Sequence, residues 1–378
     1  MGMTLANARL VRADEVREGW LTIEDGRITH VGYGTAPAGG VDLGGRYLVP
    51  GFVDIHNHGG AGGSYPAGDA EQARRAADFH LRHGTTTGVA SLVTGAPDDL
   101  ARAVAVLAEL CDDGVFAGIH LEGPYISPAR CGAHDPAQLR HPDADELAAL
   151  VAAGRGHVRM LTIAPELPGA LEAIRRAVDA GVIAALGHSD ADYARTRAGI
   201  EAGATVATHL FNALPPLHHR EPGPVAALLE DERVTVELIN DGVHVHPAML
   251  RLACAAAGPD RVALVTDAMA AAGLGDGEYT LGSMAVRVTG GVARIVEGGA
   301  IAGSTLTMDE AFRRTVQEVG LGLPEAARAA SLVPARVLGL DDRIGSIDAG
   351  KDADLVVLSP DLAVEGVMKR GTWVVPPA

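Results

Sequence analysis

Short apolar runs recur through the middle of the chain, and each is followed by a segment with helical spacing. Eight such runs can be counted: "GFVDIH" (51–56), "GTTTGVAS" (84–91), "VFAGIHLEG" (115–123), "VRMLTIAPE" (158–166), "VIAALGHS" (182–189), "ATVATHLFN" (204–212), "VTVELIND" (234–241) and "VALVTDA" (262–268). Between them lie Ala-rich amphipathic stretches such as "AEQARRAADFHLRHG", "PDDLARAVAVLAELCDDG" and "LEAIRRAVDAGV". Runs this short and continuously apolar suit strands buried on both faces, as in a parallel sheet. Strand–helix alternation repeated eight times over roughly 250 residues is the pattern of a (β/α)8 TIM barrel. An open doubly wound sheet is the alternative, but no GxGxxG follows the first strand.

The two ends of the chain are patterned differently. Residues 1–50 read as strands and turns; in "LTIEDGRITHVG" the alternation is broken by Asp25-Gly26, a hairpin signal. "IGSIDAGKDADLVVLS" and "GVMKRGTWVVPP" near the C-terminus are also rich in β-formers and turns. The expected α/β architecture therefore has two parts. Residues 1–50 and 342–378 form a small β-sandwich, and residues 51–341 form the barrel, with a β-hairpin insertion near 275–303.

The chain has 378 residues, 47% of them hydrophobic, enough for a large core and a barrel with an appendage. Its net charge of −17 argues against nucleic-acid binding, which needs a basic surface. A phosphorylated ligand would need a local cationic patch. No apolar run reaches membrane-spanning length, and "MGMTLANARLVRADEV" lacks the apolar core of a secretory signal. Cys111, Cys131 and Cys254 are odd in number and scattered, so neither a disulfide framework nor a zinc knuckle is indicated. A cytoplasmic location is the natural expectation.

Active sites of such barrels lie where the strands end. His56 and His58 stand at the end of the first run, and if the strand continued through them they would share one face. Taken alone, the pair is equally well read as polar residues at a strand–loop junction. The later runs add Glu122, His188, His209 and Asp267, and the seventh runs on through Asn240-Asp241-Gly242 to His244. Four His, one Glu and one Asp at the same end of five strands would converge on one point. Imidazole with carboxylate suits Zn, Fe, Co, Ni or Mn, and six ligands are enough for two ions. His120, two residues before Glu122, would share its face, either as a partner of the ligands or one layer deeper, with packing the favoured reading. In "HHREPG", Arg220 with His218 and His219 makes a basic spot in an acidic chain, suited to phosphate, or simply a solvated loop.

At these motifs the chain resembles the amidohydrolase superfamily and, within it, the N-acetylglucosamine-6-phosphate deacetylases. The matching stretches include "PGFVDIHNHG", "HLEGPYISPARCGAH", "GHSDA", "THLFNA", "REPG", "NDGVHVHP" and "VTDAM". The resemblance implies hydrolysis of the N-acetyl group of N-acetyl-D-glucosamine 6-phosphate by a two-metal centre in amino-sugar recycling. The metal ligands would be His56, His58, Glu122, His188, His209 and Asp267. Many barrel hydrolases of this kind bridge two ions with a carbamylated lysine. Lys351 and Lys369, the only lysines, lie on no barrel strand, which leaves Glu122 as the central ligand.

Asp267 would be the general base and then the acid for the leaving amine. His134 would contact substrate and assist the oxyanion. Arg220, His244, Asn212 and Ala213 would bind the phosphate and sugar, with Arg220 reaching the neighbouring subunit's site in a homodimer. Cys131 stands where many relatives carry a basic residue, in a loop expected to cover the entrance. Another metal-dependent amidohydrolase, an aminoacylase or a cyclic-amide hydrolase, is the competing expectation.

Overall fold

The computed structural model describes residues 2–377. Eight strands form one sheet in the spatial order β8-β7-β6-β5-β4-β3-β2-β1. They are β1 (Phe52–Asp54), β2 (Thr85–Leu92), β3 (Gly118–Glu122), β4 (Val158–Ile163), β5 (Ile183–Leu186), β6 (Val206–Ala207), β7 (Thr235–Ile239) and β8 (Val262–Val265). From β2 to β8 each strand pairs in parallel with the next. All five residues of β3 and all four of β8 are buried, as strands covered on both faces require. Spatial order equal to chain order, with helices between, is the (β/α)8 barrel.

No ladder joins β8 to β1 among the described residues. Just beyond the two strand ends, the Asp267 N–H donates to the His56 carbonyl and the His58 N–H to the Ala268 carbonyl, both at 2.8 Å. The ring therefore closes at the residues expected to bind metal.

The intervening helices follow from their sequences. Pro97 opens the helix Pro97–Asp112 at a position needing no N–H, and Leu100, Val104, Leu107 and Cys111 recur on its buried side. Asp143 caps Ala144–Ala153 by accepting from the Asp145 and Glu146 N–H groups.

The chain ends meet in a second β-layer, one continuous hydrogen-bonded sheet of eight strands. Leu355–Leu358 pairs antiparallel with Tyr47–Pro50, joining the C-terminal strands to the N-terminal ones. Asp25 and Gly26, at φ 49° and 78°, make the tight turn between Val16–Glu24 and Arg27–Tyr33. Leu5, Leu10, Leu21, Leu48, Leu355 and Met368 share its core.

Two compact units are distinguished: Met1–Asp54 with His80–Thr87 and Thr307–Ala378, and Ile55–Phe79 with Gly88–Leu306. The helical segment after Thr307 thus groups with the terminal sheet, where the sequence reading kept it with the barrel. The insertion is larger than a hairpin. Gly277–Leu281, Met284–Thr289 and Val292–Ile295 form a three-stranded antiparallel sheet. Its Leu281, Val286, Val288 and Ile295 pack with Val93, Met269 and Ala302. The third strand follows the Gly290-Gly291 turn and lies within the span expected for the insertion.

Candidate metal-dependent active site

His56 and His58 follow β1 rather than extend it, because the strand ends at Asp54. Their convergence comes from the two backbone bonds that close the ring, not from strand alternation. The His56 and His58 Nε2 atoms stand 3.2 Å apart. On the other side, the His188 and His209 Nε2 atoms are 3.1 Å apart, and both lie 3.0 Å from Glu122 Oε1. Glu122 Oε2 lies 3.1 Å from His58 Nε2. Glu122 thus reaches both histidine pairs. Asp267 Oδ1 approaches His58 Nε2 at 3.2 Å and His56 Nε2 at 3.6 Å. All six side chains are buried.

The far nitrogens decide what this cluster can hold. Nδ1 of His56 donates to Glu237, Nδ1 of His58 to the Ser91 carbonyl, and Nδ1 of His188 to the Arg130 carbonyl. A neutral ring that donates through Nδ1 keeps a lone pair on Nε2. Facing lone pairs at 3.2 Å need a cation between them. With protons alone in that role, burial would lower the His58 pKa, but hydrogen bonds to Asp267 and Glu122 overcome this and raise it to about 9. His56 is likewise lowered by burial but raised on balance by Glu122 and Glu237. Burial raises Asp267, yet its bond to His58 and the charge of His56 bring it down to about 2. The same balance, dominated on the lowering side by His56 and His134, holds Glu122 well below the usual carboxylate range. The field is built for positive charge, and the donor set of imidazole and carboxylate fits a divalent metal ion.

His134 is of another kind. Its Nδ1 accepts from the Thr94 backbone N–H at 3.2 Å, so the neutral ring carries its proton on Nε2. Burial and neighbouring cations outweigh Glu122 and lower its pKa to about 4, which keeps it neutral near pH 7. It therefore offers a donor beside Glu122, at 3.5 Å, rather than a ligand lone pair.

Three of the six cluster residues sit in the left-handed region without being glycine: His188 at φ 47°, His209 at φ 26° and Asp267 at φ 49°. Ala213 joins them at φ 50°. Each such conformation costs about 1–3 kcal/mol and persists only where surrounding structure holds it.

A cavity of about 350 Å³ opens over the cluster. His58, Glu122, His134, His188, His209 and Asp267 line it, together with Asn212, Ala213, His244 and Arg130. His244 donates from Nδ1 to Asp241 at 2.7 Å, and Asp241 also accepts the His244 backbone N–H. Burial lowers the His244 pKa, but the Asp241 bond and charge more than offset it and raise it above the ordinary imidazole value.

Arg220 is elsewhere. It is exposed, donates to its neighbour His219 at 2.7 Å and does not line this cavity. His218, Glu221 and Pro222 instead border a separate groove with Asp190 and Asp192. Cys131 does not line the cavity either, although Arg130 and Gly132 on either side do. Beside it, the Arg130 carbonyl is spent on His188 and the Arg130 guanidinium on Asp190 at 2.8 Å. His120 lies one layer below, between Ser91 Oγ and Thr162 Oγ1, its ring edge-on to His56.

Sequence reasoning missed Glu237. It is fully buried on β7 and contacts two of the expected ligands. The available signal was a lone carboxylate inside the otherwise apolar run "VTVELI".

The amidohydrolase family model matches residues 47–374. The N-acetylgalactosamine-6-phosphate deacetylase of Escherichia coli O157:H7 is 40% identical over 363 residues, covering 94% of this chain and 95% of its own. The N-acetylglucosamine-6-phosphate deacetylase of Bacillus subtilis (strain 168) is 35% identical over 387 residues, covering 98% and 96%. The crystal structure of the N-acetyl-D-glucosamine-6-phosphate deacetylase of Mycobacterium smegmatis superposes with a TM-score of 0.96 at 51% identity, covering 99% of this chain and all of that one. No described helix is long and apolar enough to cross a membrane. Fold, cluster and relatives agree, and the chain belongs to the amidohydrolase family, among its amino-sugar 6-phosphate deacetylases.

Proposed function

We infer that this chain hydrolyses the acetamido group of N-acetyl-D-glucosamine 6-phosphate, giving D-glucosamine 6-phosphate and acetate. The observation that carries the reading is the convergence of four imidazole Nε2 atoms on Glu122, with Asp267 alongside, beneath a cavity that also holds His134 and His244. His56, His58, Glu122, His188, His209 and Asp267 would hold two divalent ions, drawn from Zn, Fe, Co, Ni or Mn. Such ions, when bound, polarise a carbonyl and acidify a water.

The chain's own groups do the rest. Asp267 takes the proton of the attacking water on a side-chain oxygen and returns it to the leaving nitrogen. His134 donates its Nε2–H to the oxygen that gains charge in the tetrahedral state. His244, oriented by Asp241, faces the phosphate, and Asn212 and Ala213 contact the sugar phosphate. Arg220 lies outside its own cavity, which supports its acting on the site of a second copy in a homodimer. A cytoplasmic enzyme of amino-sugar recycling fits this chemistry.

The test is acetate release from metal-replete protein, measured side by side on four substrates. These are N-acetylglucosamine 6-phosphate, N-acetylgalactosamine 6-phosphate, unphosphorylated N-acetylglucosamine and an N-acetyl amino acid. A large preference for the first supports the whole reading. Equal rates with and without phosphate would remove the phosphate assignment, and turnover of the amino acid alone would favour an aminoacylase.

A further inference from the structure

Glu237 is a charged residue where the barrel has least room for one. It sits within β7, fully buried, among strand neighbours that are themselves apolar. A carboxylate removed from water in this way is costly unless donors and positive charge compensate it. Its Oε2 accepts from two sources. One is His56 Nδ1–H at 3.0 Å and the other is the His209 backbone N–H at 3.0 Å. Its own backbone carbonyl accepts the Leu210 N–H at 2.9 Å, so the residue grips the His209 segment twice. Among the described residues, Oε1 has no hydrogen-bond partner. Two donors on one oxygen do not balance a buried carboxylate, and both donors belong to residues of the metal cluster.

The grip falls where the backbone needs it. His209 is held at φ 26°, a conformation that no glycine eases, and its strand β6 is only two residues long. A bond from Glu237 to the His209 N–H fixes the residue that leaves the strand. The bond to His56 Nδ1 fixes that ring's tautomer and aims its Nε2 at the cluster. Through the imidazole, the carboxylate also makes Nε2 a better donor to a cation, the arrangement known from carboxylate–histidine–metal triads.

We propose that Glu237 is the positioning residue of this centre, orienting His56 and His209 together, one from each half of the cluster. The inference rests on the metal-dependent reading above. It assigns Glu237 no contact with substrate.

The experiment compares wild-type protein with E237Q and E237D, each loaded with Co(II). Metal per chain is measured by elemental analysis, affinity by chelator competition, and ligand geometry by the visible absorption of Co(II). E237Q preserves shape and can still accept one donor but loses the charge. Its affinity for the more weakly held ion should fall about 10–100-fold, with a changed Co(II) spectrum. The melting temperature of the metal-free forms should stay close to wild type. E237D, which restores charge at a shorter reach, should recover part of the affinity. Wild-type affinity and an unchanged spectrum in E237Q would overturn the inference, whatever its activity. Wild-type protein that binds no divalent ion would sink the metal-dependent reading itself, and this inference with it. Should E237Q not fold, long-range proton–nitrogen spectra of zinc-loaded wild type decide. His56 must show a proton on Nδ1, and a bare Nδ1 refutes the proposal.

Discussion

Arg220 gives a prediction that separates a site contained in one chain from a site shared by two. The guanidinium is exposed, bonds to His219 within its own loop and, among the described residues, is absent from the cavity wall. Arg220→Ala should therefore leave folding stability within about 0.5 kcal/mol of wild type, as for other exposed positions. If the side chain serves a phosphate in a second copy, its removal costs charge-assisted hydrogen bonds worth roughly 1.5–3 kcal/mol. That corresponds to about a 10- to 150-fold fall in kcat/KM. The decisive assay is co-expression of Arg220→Ala with Asp267→Asn. A mixed dimer then pairs the intact metal centre of one chain with the intact arginine of the other, leaving one working site in two. With random assortment, half of the dimers are mixed, and about a quarter of wild-type activity should return although each parent is crippled. Activity no higher than the average of the two parents would refute sharing and return Arg220 to the status of a solvated loop charge.

Three further outcomes are expected. Asp267→Asn, which keeps a residue tolerant of φ 49°, should lower kcat by about 10²–10⁴-fold while metal content by elemental analysis stays near wild type; loss of metal together with activity would make Asp267 chiefly a ligand. Asp231 is held below its usual pKa by hydrogen bonding to Arg233 and by the charge of Arg197, despite some desolvation. Its folded pKa lies below the unfolded value of about 3.9, so its stabilisation is present above that pH and fades as pH falls further. Urea unfolding of Asp231→Asn should show the largest deficit near neutrality, shrinking progressively as pH falls below about 4; a deficit independent of pH would refute the ion-pair account. In metal-free protein, His188→Gly should be more stable than His188→Ala by about 1 kcal/mol, because only glycine accepts φ 47° without strain; equal melting curves would show that the backbone relaxes.

The barrel was legible because eight buried runs alternate with helical spacing, and that period survives single-residue errors at every strand boundary. The candidate cluster was legible because its members are the few polar residues placed at the ends of those runs. The reason offered for His56 and His58 was nevertheless different from the one observed. Strand alternation would have paired them, whereas the strand stops at Asp54 and backbone bonds to Asp267 and Ala268 bring them together. Such bonds join residues about two hundred positions apart and leave no local pattern. Glu237 was missed for the same reason, since its meaning lies in His56 across the barrel. The two-residue β6 was read as longer because His209, Phe211 and Ala213 take positive φ without any glycine to announce it. Loop direction leaves no local pattern either: Arg220 turns outward while His244, anchored by Asp241, lines the cavity.

The ring's closure has a dynamic consequence. A cask holds while its hoop holds, and here the last stave is joined to the first at the rim by two hydrogen bonds, donated by the His58 and Asp267 amides. Both residues would also grip the ions, so filling the centre and closing the ring become one event. The amide hydrogens of His58 and Asp267 should exchange slowly with solvent deuterium in loaded protein and much faster after chelation, while those within the β3–β4 ladder barely change. Metal would then act as a fastener of the fold as well as a reagent, and the first opening of the empty barrel would run along the seam where the chemistry takes place.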